Sequence, residues 1–202
     1  MPPINRALDK RARRSEPAFD RLTSAARDLF ASEGYGHTSL DSVCERAGVT
    51  KGSLYHHFHG KAELFEAVFE AEAKRVTSHV AAAMAAETDP WMAANVALTG
   101  FLDTVSESGV QRILFEDGPS VLGWMRVREI DRQYGLALIT DALNRLTAEG
   151  GIEISDPPTL AHLLLAALIE AALLRMSRAD EPEASERVVQ EVRALFAALI
   201  MR

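Results

Sequence analysis

Residues 37–61 hold the side chains of this chain that are best suited to contact a charged polymer. The segment HTSLDSVCERAGVTKGSLYHHFHGK contains two short helical patterns joined at Gly48, each preceded by residues that can cap a helix. Gly48 permits the sharp turn, and Thr50 is placed to cap the second helix. This spacing predicts a helix-turn-helix, in which the second helix enters the major groove of DNA.

The second of these helices is predicted to have one buried face and one exposed face that can contact DNA. Leu54 and Phe58, four positions apart, predict the buried face. Thr50 and Lys51 stand at the helix N-terminus, where free N–H groups and the helix dipole favour a phosphate. The residues predicted to contact DNA are Thr38, Thr50, Lys51, Gly52, Ser53, Tyr55, His56 and Lys61.

Several neighbours of this helix have structural interpretations. Thr38 and Asp41, three positions apart, resemble a capping box at the start of the preceding helix. His57 is predicted to be structural, and Cys44 is predicted to be a small core residue, with a redox sensor as the alternative. The histidines at 56 and 59 have metal-ligand spacing, but a third ligand is not apparent, so we predict no metal and no cofactor.

Charge is distributed unevenly along the 202 residues. The chain carries a net charge of −7, but residues 1–60 sum to +2 and residues 61–202 to −9, which favours nucleic acid as the partner of the amino end. Four basic residues within 10–14 predict a flexible basic arm over 1–16, either a solvated tail or an arm that reaches phosphates or the minor groove.

Composition points to the cytoplasm. A single cysteine excludes an internal disulfide, and the first sixteen residues have no apolar core typical of a secretory leader. The longest apolar run has eight residues, too few to cross a bilayer, which needs roughly 18. We therefore expect a cytoplasmic, nucleoid-associated protein without a membrane partner.

Helical periodicity extends over nearly the whole chain and predicts an all-α fold of about nine helices. We expect an N-terminal three-helix DNA-binding domain with a helix-turn-helix at 17–60, followed by a larger helical domain at 61–202. The pairs Asp89-Pro90 and Asp156-Pro157 predict helix starts. An irregular piece is expected around 110–119, a helix over roughly 120–149, and a helix end at Gly150-Gly151.

The last two helical segments predict a dimer. Residues 159–177 are apolar on every side, and the stripe over 188–200 is wide enough to face both a core and a neighbour. A four-helix bundle with a two-fold mate would bury both, whereas the alternative is an interior helix of a monomer. The predicted interface residues are Leu160, Leu164, Ala167, Ala171, Val192, Phe196 and Leu199.

The stretch from Phe19 to about Phe69 resembles the N-terminal domain of TetR-family transcriptional regulators. The resemblance lies in LFASEGYGHTSLDSV, ERAGVTKGSLYHHF and KAELFEAVF, and it covers about a quarter of the chain. It implies a homodimer whose recognition helices bind a palindromic operator on double-stranded DNA. It also implies a second domain that binds an unknown small-molecule effector and releases the DNA, most simply as a repressor.

The effector pocket has only a weak signature in the sequence. Aromatic, methionine and histidine side chains of the second half are candidates for its lining, although simple core packing is the alternative. The candidates are Trp91, Phe101, Phe115, Trp124, Met125, Tyr134 and His162. The chain has no G-x-S-x-G, phosphate-binding glycine loop or H-E-x-x-H, so we predict no catalytic residues; a helical dimeric adaptor or a small enzyme is the alternative function.

Overall fold

The computed structural model describes residues 17–148 and 154–200, and helices form almost all of these ranges. Nine continuous helical segments run through the described residues, which confirms the all-α prediction. They are α1 (Pro17–His37), α2 (Leu40–Ala47), α3 (Lys51–His57), α4 (Lys61–Ala85), α5 (Pro90–Val105), α6 (108–122), α7 (124–148), α8 (Pro157–Ser177) and α9 (Pro182–Ile200). The predicted arm at 1–16 and helix end at Gly150-Gly151 lie outside the described residues.

Two of these helices, α6 and α7, contain a π-helical turn. In α6 the turn Arg112–Asp117 lies between Ser108–Gln111 and Gly118–Leu122. In α7 the turn Arg132–Leu136 lies between Trp124–Asp131 and Ala137–Ala148. The expectation of an irregular piece at 110–119 is therefore wrong, because the π turn keeps the chain helical through it.

Glycines fix the geometry of this region at two positions. Gly123 separates α6 from α7 with a φ of 76°, so α7 begins at Trp124 rather than near residue 120. Gly118 lies so close to α4 that an added Cβ would collide with the Phe69 ring. The glycines and the proline at 118–123, which suggest a loop in the sequence, instead allow close helix packing and a short break.

Capping residues start the later helices as predicted. Asp89 accepts a hydrogen bond from the Met92 N–H at 2.7 Å, and Asp156 accepts one from the Thr159 N–H at 3.1 Å. Proline follows each cap, where a missing N–H costs nothing. Hydrogen bonds from the Thr159 side chain and then from its N–H hold the pKa of Asp156 below its usual value.

The chain divides into two compact units. The first contains the described residues up to Glu72 together with Arg112–Trp124, and the second contains Ala73–Gln111 and the described residues from Met125 onward. The boundary lies inside α4, so the first unit also holds the start of α4 and the π turn of α6.

Aromatic rings form the centre of the first unit. Phe30, Phe58, Phe65 and Phe69 are almost completely buried, and the Phe30 and Phe65 ring centroids are 5.1 Å apart in an edge-to-face pair. Phe58 stacks on Phe19 at 5.1 Å and so fixes the end of α3 against α1. This core holds the helix-turn-helix on a rigid base.

The second unit is built around α8, which is apolar all round. Ala161 and Leu164 of α8 form a buried cluster with Leu143 of α7. Among the described residues, α8 is the one helix that is long and apolar enough to cross a membrane by length and composition, a test that the core helix of a soluble protein also passes. Only 33% of its most apolar window is buried inside the chain.

Candidate nucleic-acid interface

The turn between α2 and α3 is fixed by its caps. Gly48 adopts the left-handed conformation with a φ of 62°, and the Val49 N–H donates to the Cys44 carbonyl at 3.0 Å. The Thr50 hydroxyl oxygen accepts from the Ser53 N–H at 3.2 Å, so Thr50 caps α3 as predicted. These local hydrogen bonds set the direction in which α3 leaves the turn.

The capping box at the start of α2 involves different residues from those expected. Ser39 is the N-cap, and its hydroxyl accepts from the Ser42 N–H at 3.0 Å while Ser42 Oγ accepts from the Ser39 N–H at 3.2 Å. The assignment to Thr38 and Asp41 is therefore wrong by one position. Serine can play both parts of the box because its hydroxyl both donates and accepts.

The exposed face of α3 holds the predicted DNA-contacting side chains. Lys51, Gly52, Tyr55 and His56 are exposed, with Tyr55 exposing 55% of its surface, and Ser53 is half-buried. The opposite face is buried through Leu54, which has no exposed surface. The helix therefore presents a charge, a phenol and an imidazole on the side that does not pack.

Lys51 is held by a carboxylate across the turn. Its ammonium lies 2.7 Å from Asp41 Oδ1 of α2, and both side chains are well exposed. The hydrogen bond to Asp41 raises the pKa of Lys51. Lys51 is therefore charged at neutral pH, and a phosphate or base edge must compete with Asp41 for it.

Thr38 does not have the role predicted for it. It is only 2% exposed, and its hydroxyl donates to the Gly34 carbonyl at 2.9 Å. A buried hydroxyl already bonded to the backbone has no free surface for a phosphate, so the prediction of Thr38 as a DNA contact is corrected. It instead closes the end of α1 before the chain enters α2.

Lys61 lies at the start of α4 above an aromatic ring. Its Nζ is 4.2 Å from the centroid of the Tyr35 ring, a cation–π distance, and the residue is half-buried. The Glu63 carboxylate accepts from the His59 N–H at 2.8 Å and fixes the preceding turn. The chain thus positions one further cation beside the helix-turn-helix.

His57 and Cys44 are structural, in agreement with their interpretation from the sequence. The His57 ring is buried on α3 and meets the Phe19 ring edge-on at 6.1 Å. Cys44 is buried on α2, and burial raises the pKa of its thiol. A thiol with a raised pKa is a poor nucleophile at neutral pH, which disfavours the redox-sensor alternative.

The second unit contains a cavity of about 90 Å³ with an apolar lining. Only Phe101 of the seven predicted effector-pocket residues lines it. Trp124 and Met125 are exposed by 58% and 76%, His162 is exposed, and Trp91, Phe115 and Tyr134 are half-buried elsewhere. The cavity is lined instead by Thr77, Val80, Met84, Ala94, Ala97, Leu98, Phe101, Gly135, Leu138, Ile139, Ala142, Leu143, Leu146, Leu164, Leu165, Leu168 and Phe196.

The predicted dimer residues mostly face the core of the second unit. Leu164, Ala171 and Val192 are buried, Leu160 and Phe196 pack against a buried cluster, Ala167 is half-buried, and the Leu199 side chain lies outside the described residues. The large apolar side chains that α8 and α9 expose are Leu163, Leu173, Leu174 and Leu195. Leu164, Ala171 and Val192 are therefore not exposed for an interface, because a helix that is apolar all round gives no sign of which side turns inward; the rest of the predicted set stays a prediction.

A small helix-turn-helix unit followed by a larger helical unit defines a class of protein, the helix-turn-helix DNA-binding regulators. Within this class, residues 22–68 match the profile of "Bacterial regulatory proteins, tetR family", and residues 91–199 match "Tetracyclin repressor-like, C-terminal domain". The chain belongs to the TetR family. It is a DNA-binding transcriptional regulator, and its relatives are regulators rather than enzymes.

The similarity to individual relatives and solved structures covers most of the chain. The HTH-type transcriptional activator FasR of Mycolicibacterium smegmatis is 28% identical over 179 residues, which cover 84% of this chain and 78% of FasR. A TetR-family transcriptional regulator from Pectobacterium atrosepticum superposes with a TM-score of 0.81 at 28% identity, covering 94% of this chain and 98% of the other. The fatty acid degradation regulator FadR from Bacillus halodurans, at 17% identity, shares the fold with a TM-score of 0.71 over 90% of this chain and 95% of FadR.

Proposed function

We propose that this protein is a homodimeric repressor that binds a palindromic operator through two copies of α3 and leaves it when a small effector binds. The observation that carries the proposal is the exposed face of α3, where Lys51, Tyr55 and His56 are exposed on the side opposite the buried Leu54. A helical adaptor would have no use for such a face. We place the protein in the cytoplasm, on nucleoid DNA.

The exposed residues of α3 can contact both the phosphates and the base edges of DNA. Lys51 at the helix N-terminus can reach a phosphate or a guanine edge, and Tyr55 and His56 can donate to phosphate oxygens or base edges. Gly52 is exposed and lets the backbone come close. Most of these contacts position the helix, and a few specify sequence.

Selection from random duplex DNA, followed by binding measurements, tests this assignment. Lys51→Ala and Tyr55→Ala should each weaken binding to the selected operator by about 1–3 kcal/mol. Lys74→Ala, which removes an exposed lysine of α4 outside the proposed contact set, is the matched control. Unchanged affinity in both α3 variants would contradict the proposal.

The proposed dimer rests on the exposed leucines of α8 and α9. Leu163 is 63% exposed and Leu195 is 47% exposed, which is costly for apolar side chains in water. Pairing α8 and α9 with the same helices of a second copy gives a four-helix bundle that covers both. The two recognition helices should then contact half-sites about 34–36 Å apart, and a footprint with inverted half-sites one helical turn apart would support this spacing.

The apolar cavity supports an uncharged, hydrocarbon-rich effector. In the described part of the chain its lining has one polar side chain, Thr77, whose hydroxyl already donates to the Ala73 carbonyl at 3.0 Å. Burying a charge there would cost several kcal/mol. The cavity is smaller than the roughly 150 Å³ that holds benzene, so a ligand must displace side chains such as Met84.

A pair of ligands of equal length tests the chemical class. 1-Octanol should release operator DNA at lower concentration than octanoate, because the carboxylate has no partner in the lining. Ala142→Leu fills the cavity and should abolish the response, whereas Ala137→Leu, an exposed position on the same helix, should leave it unchanged. A stronger response to octanoate, or an unaltered one in Ala142→Leu, would contradict the assignment.

Release is a population shift. The effector favours a state in which the spacing of the two α3 helices misfits the operator, and it shifts the equilibrium only by its differential affinity for the two states. The activator FasR makes activation the second candidate. A reporter gene behind the selected operator distinguishes them, because a repressor lowers transcription without effector and an activator raises it.

A further inference from the structure

Helix α1 is interrupted near its end by Gly34. Gly34 has φ 82° and ψ 164°, far from helical values. In an uninterrupted helix the Ala31 carbonyl would accept from the Tyr35 N–H. The break separates these two groups, and each then needs another partner.

Both partners come from the π turn of α6. Arg112 Nη1 donates to the Ala31 carbonyl at 3.0 Å and to the Ser32 carbonyl at 2.6 Å. Asp117 Oδ2 accepts from the Tyr35 N–H at 2.7 Å. Arg112 and Asp117 are five positions apart, the period of the π hydrogen-bond pattern, so one turn brings both to the same break.

We call this pair of side chains the clamp. The clamp lies close around the break, since a Cβ on Gly34 would be 3.7 Å from both Arg112 Cδ and Asp117 Oδ2. A guanidinium on two carbonyls and a carboxylate on an N–H are charge-assisted hydrogen bonds, which are stronger than neutral ones. The clamp therefore determines where the residue after the break, Tyr35, is held.

Tyr35 in turn supports Lys61. The Tyr35 ring packs against Phe30 at 5.8 Å and Phe65 at 5.2 Å, and the Lys61 ammonium lies 4.2 Å above its centroid. Asp117 thus holds the backbone of the residue whose ring holds the ammonium. The connection runs from Asp117 through Tyr35 to Lys61.

We propose that Arg112 and Asp117 are positioning residues for DNA binding, which act through Tyr35 to place Lys61 against a phosphate of the operator. The proposal rests on the proposed function in taking Lys61 as a phosphate contact. Neither clamp residue touches DNA itself. Arg112, Asp117, Tyr35 and Lys61 all belong to the first unit.

The direction in which operator affinity changes distinguishes a positioning role of Asp117 from an effect of its charge. Removing the negative charge of Asp117 would, by charge alone, strengthen binding to a polyanion, whereas loss of positioning weakens it. A lost phosphate contact also lowers the dependence of affinity on salt, by about 0.9 in the slope of log K against log salt. A general loss of fold would not change that slope in this specific way.

The experiment measures affinity for the selected operator at several salt concentrations. Lys61→Ala and Asp117→Ala should each weaken binding about three- to tenfold and reduce the slope by about 1.8, because the dimer loses one phosphate contact in each half-site. The double variant should bind no more than about twofold weaker than Lys61→Ala alone, because both changes remove the same contact. Asp117→Asn, whose amide oxygen still accepts from Tyr35, should stay within about threefold of the wild type, and Glu33→Ala, an exposed carboxylate beside the break, is the charge control.

The outcomes that overturn the proposal are distinct from a failure of DNA binding. Unchanged or tighter binding by Asp117→Ala, an unaltered slope, or losses that multiply in the double variant would each overturn it while the wild type still binds. If Asp117→Ala lacks a cooperative thermal transition, Tyr35→Leu replaces it, because it removes the ring and leaves the clamp; an unaltered slope there overturns the proposal too. Enrichment of no sequence by the wild type would instead overturn the proposed function.

Discussion

The helix-turn-helix and the helix pair α8 and α9 treat apolar side chains in opposite ways. Around α3 the apolar side chains of Leu54 and Phe58 are buried. The exposed residues of the helix include a lysine, a tyrosine and a histidine. On α8 and α9 four leucines are exposed, and other residues of these two helices line part of the apolar cavity. The first region covers its apolar side chains within one chain, whereas the second leaves large apolar side chains exposed.

This difference assigns a physical driving force to each region. Contacts made by α3 are polar and charged, so they should weaken with salt. Contacts made by α8 and the cavity are apolar, so they should depend on buried area and show a negative heat-capacity change on binding. The two regions can thus be disturbed separately, which the following variants exploit.

The largest expected effect lies in the first unit. The Glu72 side chain is almost completely buried, and Arg27 Nε donates to it at 3.2 Å. Arg27→Ala should lower the free energy of unfolding by about 3 kcal/mol, because it removes the guanidinium from a buried carboxylate. Urea unfolding measures this, with Arg21→Ala, an exposed arginine of the same helix, as the control. Equal losses in the two variants would show that burial of charge does not matter here.

A smaller effect is expected where the second unit exposes leucine. Leu163→Glu should weaken dimerisation by about 2 kcal/mol without unfolding the chain, because the side chain is exposed in one copy and buried in the proposed pair. Sedimentation velocity over a range of concentrations measures the dimer. Met125→Glu, at a more exposed apolar position outside α8 and α9, should leave the dimer intact. A monomeric wild type would remove the contrast between the two regions.

Asp131 of α7 makes the second unit sensitive to pH. Burial raises the pKa of Asp131 from 3.8 to about 6, only partly offset by Arg128. Between these values the folded state binds more protons than the unfolded state, so this group's contribution to stability falls as pH rises and its cost is complete above pH 6.

Replacement of the Asp131 carboxyl tests whether stability falls as pH rises. Asp131→Asn should stabilise the protein by about 1 kcal/mol at pH 8, a value below the full shift because the side chain is partly exposed. The gain should disappear near pH 4, where the wild-type carboxyl is also neutral in the folded state. Thermal unfolding at the two pH values measures it, and a gain that grows toward acid would refute the sign.

The smallest effect concerns Asp41, which holds Lys51 at 2.7 Å. Asp41→Asn removes a competitor for the lysine, so operator affinity should rise only slightly, by about twofold, because an exposed ion pair is weak. Glu45→Gln, an exposed carboxylate on the same helix, controls for the change in net charge. Equal gains in both variants would mean that only overall charge matters.

The candidate DNA interface could be predicted from sequence almost completely. The caps, the turn at Gly48 and the spacing of Leu54 and Phe58 involve residues within a few positions of each other, so the exposed face of α3 follows from them. Thr38 is the exception. Its side chain is not available to DNA, because its hydroxyl donates to the carbonyl of Gly34, where α1 is broken.

The apolar cavity of the second unit could not be predicted in the same way. Large aromatic residues were expected to line it, but the space exists where residues are small, at Ala94, Ala97, Gly135 and Ala142. An empty volume is a property of several helices packed together, and single residue types do not report it.

The amino-acid order alone determined where helices begin and end over most of the described chain, and which side of α3 is polar, because these depend on neighbours three or four positions away. Only the folded molecule decided which leucines of α8 turn outward, since a helix apolar on every side contains no signal for that choice. It also decided that Arg112 and Asp117 would hold the end of α1, across separations of 80 to 82 residues that no local pattern encodes.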